Sequence, residues 1–192
     1  MGSLILISVM ILTGQQADSS ALALWKTFTS QTYGISFAYP PNGKVAIGWP
    51  GTPDSVLVVE VPSADTASRS NRQTDYLVRI WIKLTKNDFV QAATDWQFVK
   101  SDSNWYIYSD ASEEDSAKVA VINDDHFVGL RGYQTIGQWF VVPGFVPLWD
   151  QPIEFLYFPG GGNGNITLFA RYDPVGSDIL NHIIHSVKVI AK

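Results

Sequence analysis

The chain has no cysteine among its 192 residues. That absence removes disulfide scaffolds, Cys-ligated zinc, iron–sulfur clusters and Cys nucleophiles. Charge is also scarce: Asp, Glu, Lys and Arg make up 16% of the residues, against about 25% in an ordinary soluble domain. A disordered acidic or basic chain needs low hydrophobicity and high net charge, and 46% of this chain is hydrophobic. A coiled coil needs Glu, Lys and Arg along its flanks, and this composition does not supply them. Basic residues number 13 against 18 acidic ones, so the net charge is −5 and nucleic acid is not an expected partner. The longest apolar run, Leu4 to Leu12, covers nine positions with only Ser8 polar. A membrane-spanning helix takes roughly 20 such residues.

Aromatic residues are what the chain has in excess: 7 Trp, 8 Tyr and 10 Phe. The length suits one domain, and nothing after Ser20 reads as an interdomain linker. Residues 1–20 therefore stand apart from a single domain over 21–192.

Two readings apply to the N-terminal run. Its length is that of a signal-peptide apolar region, although no Lys or Arg precedes it. The sequence Leu12-Thr13-Gly14-Gln15 resembles a lipobox with Gln15 where the lipidated Cys would stand, so no thioether can form there. Alternatively, Ile5, Ile7, Val9 and Ile11 alternate with other apolar residues, as in a strand buried on both faces. Such a strand would complete this chain's sheet or a neighbour's. The export reading is favoured, and it places the protein outside the cytoplasm: periplasmic, secreted or on the cell surface.

Beyond Ser20, period-two patterns predict strands at residues 33–39, 45–49, 55–61, 75–84, 105–108, 117–122, 127–133, 139–142, 153–158 and 166–172. Residues 64–74 read as a surface loop. Helical spacing predicts a helix over 87–100 with Asn87 as N-cap, and another over 178–186 with Ser177 as N-cap. The glycine-rich segment 159–165 reads as a hairpin connection rather than a phosphate loop, because a strand and not a helix follows it. Short connections imply antiparallel neighbours. The expected class is α+β, an antiparallel sheet with helices packed on it.

Tyr33-Gly34-Ile35-Ser36-Phe37-Ala38-Tyr39-Pro40 opens this domain, and Asp178 to Lys188 (DILNHIIHSVK) closes it. Together these two segments resemble the PsbP-like family, which includes the extrinsic photosystem II protein and many bacterial extracytoplasmic proteins. The resemblance spans about residues 25–190 and is carried by those two ends. It implies an α/β/α sandwich around a central antiparallel sheet, and an accessory role without catalysis. The sequence departs from the family where Pro41-Asn42-Gly43-Lys44 stands in place of a Trp shortly after the first YP. Residues 133–158 have no counterpart in the family pattern, and no metal- or photosystem-binding residue carries over.

Catalytic and metal constellations are thin. His182 and His185 are three apart on a predicted helix, but zinc needs three or four converging ligands. Asp124-Asp125-His126 reads as a turn between strands, with no nucleophile elbow to partner it. Asp110, Glu113, Glu114 and Asp115 lack calcium-loop spacing and read as a solvated hairpin. No cofactor and no metal are expected. The stretch from Gln138 to Trp149 stands out, because Trp139, Phe140, Phe145, Leu148 and Trp149 crowd around Pro143-Gly144 and Pro147. Core packing competes there with an exposed docking surface.

The resulting expectation is a non-enzymatic accessory or assembly protein, bound to a protein complex or to copies of itself, with a membrane surface as a further contact. Its contacts would be Trp139, Phe140, Phe145, Leu148 and Trp149 together with Ile5, Ile7, Val9 and Ile11. The alternatives are a carbohydrate-binding module using the same Trp residues, a self-assembling subunit that donates the N-terminal strand, and a hydrolase.

Overall fold

The structure is a computed structural model. It describes residues 24–49, 55–63, 76–109, 115–137, 148–161 and 164–190. The expected N-terminal segment, the loop 64–74, the strand 139–142 and most of the acidic cluster lie outside the described residues.

The described chain is built mainly of strands: β1 (Lys26–Ser30), β2 (Ile35–Tyr39), β3 (Lys44–Gly48), β4 (Val56–Pro62), β5 (Tyr76–Thr85), β6 (Phe98–Ser101), β7 (Asn104–Tyr108), β8 (Ser116–Asn123), β9 (Val128–Gly137), β10 (Leu148–Gly161), β11 (Gly164–Tyr172) and β12 (Lys188–Val189). Two helices accompany them, α1 (Phe89–Thr94) and α2 (Ser177–His185), with a single 3-10 turn at Pro174–Gly176. The strands form a nine-stranded sheet, ordered β3-β4-β5-β11-β10-β9-β8-β7-β6, and a three-stranded sheet, β1-β2-β12. Every pairing is antiparallel, as the short connections imply.

This architecture corrects the expected helix-packed α+β sandwich. Helices of six and nine residues cannot cover nine strands, so most of the covering layers are themselves β. The predicted helix over 87–100 ends at Thr94 because Gln97 turns left-handed (φ 68°), and Phe98 then enters β6. Asp88, not Asn87, caps α1, its carboxylate accepting the Gln91 N–H at 2.9 Å. In α2 the N-cap is Gly176 rather than Ser177, while Asp173 caps the preceding 3-10 turn through the Val175 N–H.

Alternation along β5 and β11 divides the large sheet into two buried faces. Val78, Ile80 and Ile82 join Ile166, Leu168 and Ala170 beneath the small sheet and α2, where Ile35, Phe37, Leu180, Ile183 and Ile184 meet them. Ile153, Phe155, Tyr157 and Phe169 point the other way, onto Ala92, Ala93, Phe98, Trp105 and Ile107. Burying each of the larger of these side chains contributes about 1.5–3 kcal/mol.

The second core exists because the large sheet curls. Phe98 on β6 and Phe169 on β11 belong to strands five steps apart, about 24 Å in a flat sheet. Their ring centroids are 6.3 Å apart. The bend lies in β8, whose first half pairs with β7 (Trp105↔Val119) and whose second half pairs with β9 (Ala120↔Arg131). Gly132 makes room at this corner: a Cβ there would sit 2.6 Å from Val119 Cγ1.

The two sequence ends that carry the family resemblance touch each other. Gly34 takes a left-handed turn (φ 62°) into β2, and β12 pairs with β2 (Lys188↔Ser36). Ser186 Oγ accepts the Ala38 N–H at 2.8 Å and donates to Ile183 O at 2.7 Å, closing α2 onto the small sheet.

Two outcomes follow. Gly132→Ala should lower stability by about 1–3 kcal/mol through overpacking at the corner, read from the urea midpoint. Ser186→Ala should cost a comparable amount, about 1–3 kcal/mol, because it strips the partner from the Ala38 N–H. An unchanged midpoint in either variant contradicts the corresponding account.

Candidate functional site

On the second face, α1 and the curled end of the sheet cover β9 and β10. Toward β4 and β5 the cover stops, and a groove opens. Its larger part, about 530 Å³, lies between Trp49, Val56, Lys83, Thr85, Asp95, Trp96 and Thr167. A second part of about 300 Å³ shares Trp49, Asp95 and Trp96 and continues over Trp81, Phe169 and Arg171.

Each tryptophan arrives by a different local device. Trp81 takes a solvent-side position of β5 between Arg79 and Lys83, opposite Phe169 in the ladder. Trp96 follows α1 in a tight turn, its N–H bonded to Ala93 O at 3.0 Å, and is stacked on Phe169 at 5.0 Å and 12°. Trp49 follows Gly48, which pairs with Val56 on the groove side, so alternation would send residue 49 to the other face. A left-handed backbone at Trp49 (φ 47°) breaks the alternation, and the indole lines the groove while 63% exposed. A bulky residue with positive φ is a local strain, the kind that gathers at ligand clamps.

The polar groups of the groove are fixed in place. Asp95 accepts from Asn87 Nδ2 at 3.0 Å and Gln91 Nε2 at 3.3 Å. Arg171 lies over the rings of Trp81 (6.0 Å) and Phe169 (5.7 Å) and donates from Nη2 to Gln134 Oε1 at 2.8 Å. Gln134 is itself buried and gives its amide to Tyr108 O at 2.9 Å. Outside the groove lining, Arg79 is held by the Glu60 carboxylate, with Nε at 2.8 Å, and covers Tyr76 at 4.4 Å. Cations stacked on indoles in this way contribute about 0.5–1 kcal/mol each when exposed. The described lining offers shape, stacking and hydrogen bonds.

On the opposite face, Arg131 Nε bonds the buried Glu154 at 2.5 Å. Burial, with the Glu154 carboxylate beside it, pushes the Tyr172 hydroxyl up to about 12. A folded pKa above the unfolded value of 10.0 means that this stabilisation is complete below pH 10 and fades as the pH rises toward 12. Between about pH 9 and pH 11, wild type should lose more stability in urea than Tyr172→Phe does. Equal losses would exclude this account.

Trp139, Phe140, Phe145, Ile5, Ile7, Val9 and Ile11 lie outside the described residues. Leu148 and Trp149 open β10, opposite Gly137 and Ile136. His185 Nδ1 lies 2.7 Å from Asn181 O, and the His182 ring packs edge-on to Trp25 at 4.3 Å. No cluster of three metal-ligating side chains occurs among the described residues. Asp124 forms the expected turn, accepting the His126 N–H at 3.0 Å. Among the described residues no helix is long and apolar enough to cross a membrane.

No family model and no curated protein matches the chain. Among solved structures it is similar to the solution structure of cyanobacterial PsbP (CyanoP) from Synechocystis sp. PCC 6803. The match covers 94% of this chain and 98% of that one, at 9% identity and a TM-score of 0.43. It names the family that the two sequence ends resemble. At this identity and TM-score, nothing about partners or binding residues passes from that protein to this chain.

Proposed function

We propose that this chain is a non-enzymatic accessory protein that works by holding a partner on aromatic surface. The observation that carries the reading is a second population of aromatic side chains outside the two cores. Trp49 is 63% exposed at the groove, and Tyr133 is 58% exposed on β9. A folded domain gains nothing in stability from large rings left in water, whereas binding recovers that surface, with a few anchors dominating the affinity.

The protein-docking surface on this reading is the end of the β9–β10 hairpin. Gly137 pairs with Leu148, so the segment between them joins two hydrogen-bonded strands at one end of the sheet. Thr135 Oγ1 donates to Asp150 Oδ1 at 2.8 Å and Ser109 Oγ donates to Thr135 O at 3.1 Å, which stiffens the stem below it. Trp139, Phe140, Phe145, Leu148 and Trp149 are the proposed anchors, with the exposed Tyr133, which pairs with Pro152 further along the same hairpin, as an additional one. Residues 1–20 are proposed as an export segment ahead of a single domain, which places the partner outside the cytoplasm; Ile5, Ile7, Val9 and Ile11 would add contacts only if that segment is retained.

The test is co-purification of the full chain with its complex from source extracts. Tyr133→Ala and Trp149→Ala should each weaken recovery, by about tenfold or more for a true anchor, at unchanged urea midpoints. If Trp149→Ala unfolds the chain, that residue is a core residue. If Tyr133→Ala and Trp139→Ala then both leave recovery unchanged, the docking surface is not here.

A further inference from the structure

The groove has its own chemistry, distinct from that of the hairpin end. We infer that it is a carbohydrate-binding site for a short run of pyranose rings. The inference rests on reading the chain as a binding protein, and it assigns a ligand class to a surface that the sequence did not single out.

A pyranose ring offers two kinds of contact. Its faces are patches of weakly positive C–H groups, which suit the negative face of an aromatic ring. Its rim is a set of hydroxyls that both donate and accept. The groove supplies a match for each. Trp96 lies back-to-back on Phe169 at 12° between planes, so one indole face is committed to the protein. The same residue also lines the groove. Trp49 lines the same groove from across the sheet, projected there by its left-handed backbone.

For the rim, Thr85 brings a hydroxyl that accepts the Asn87 N–H and can still donate outward, Lys83 brings donors and Asp95 brings acceptors, while the buried Thr167 hydroxyl is spent within the wall, donating to Lys83 O and accepting from Trp96 Nε1. Two amides orient Asp95, and a carboxylate has about four acceptor positions. Lys83 and Asp95 cancel in charge, so the larger part of the groove is matched to a neutral ligand. Its two parts share Trp49, Asp95 and Trp96, which makes it an elongated track suited to a chain of rings.

Other occupants fit less well. An extended peptide is recognised through main-chain hydrogen bonds at a sheet edge. This floor is the face of β5 and β11, whose backbone groups are consumed in their own ladder. A nucleic acid would meet Asp95 and a chain of net charge −5.

The full chain should be titrated with cellohexaose, chitohexaose, maltohexaose and xylohexaose, read by tryptophan fluorescence and by calorimetry. Saturable binding of at least one is expected. Trp49→Ala should weaken it by about tenfold or more. Trp96→Ala should do the same, while Trp96→Phe retains most of the affinity and guards against loss of fold. Tyr133→Ala should leave it unchanged. No saturable binding of any of the four overturns the inference, as does binding that survives both Trp49→Ala and Trp96→Ala in chains with unchanged melting curves. Failure here with the Tyr133 and Trp149 effects intact leaves the accessory reading standing. Loss of both sets removes it as well.

Discussion

Everything distinctive in this molecule depends on the change of partner along β8. A strand that leaves β7 and joins β9 halfway along forces the sheet to turn back over itself, and Gly132 under Val119 is where the turn is sterically permitted. Without that corner, Phe98, Trp105 and Ile107 would have no second face to cover, and α1 would have no core to join. Trp96 reaches Phe169 only because the chain between α1 and β6 is carried back across β11. One side of the groove is thus a product of sheet curvature. The other side, Trp49, is a product of one strained backbone angle.

Curling also accounts for the strand count. A flat antiparallel sheet of this size needs helices along both faces to hide its apolar side chains. Here the sheet's own far end hides one face, and a three-stranded sheet with α2 hides the other. That economy explains why so much of the chain is strand. It also explains why β10, which runs between the two cores, is buried along nearly its whole central length despite antiparallel pairing.

The sequence was most legible where alternation is regular. Val78, Ile80, Ile82 and Leu84 mark β5, and Ile166, Leu168 and Ala170 mark β11, because one face of each strand is purely apolar. The closing segment was legible too, since Ile179, Leu180, Ile183 and Ile184 recur at helical spacing and Ser186 joins it to β2. The helix over 87–100 was overread because Phe98 continues an apolar period that Gln97 has already broken, and nothing in composition announces a left-handed Gln. The expectation of covering helices failed for the related reason that curvature is set by register, which a linear pattern does not show.

The groove was hidden for a different reason. Trp49, Trp81 and Trp96 are far apart in sequence, and each has an innocent local role as a strand end, a strand residue and a helix residue. One signal was present: Trp81 stands between Arg79 and Lys83 on the polar side of β5, where alternation predicts a solvated residue. A large ring at such a position asks for a neighbour, and the structure supplies Phe169 and two guanidinium groups.

The stack of Trp96 on Phe169 joins two properties that are usually separate. Phe169 is a rung of a central strand and a member of the second core, while Trp96 forms a wall of the groove. Any ligand that holds Trp96 in place therefore also holds the curl shut, and by mass action its binding energy is added to the stability of the closed sheet. Occupancy of the groove should thus be felt in hydrogen exchange as far away as the corner at Val119, although no ligand atom comes near it.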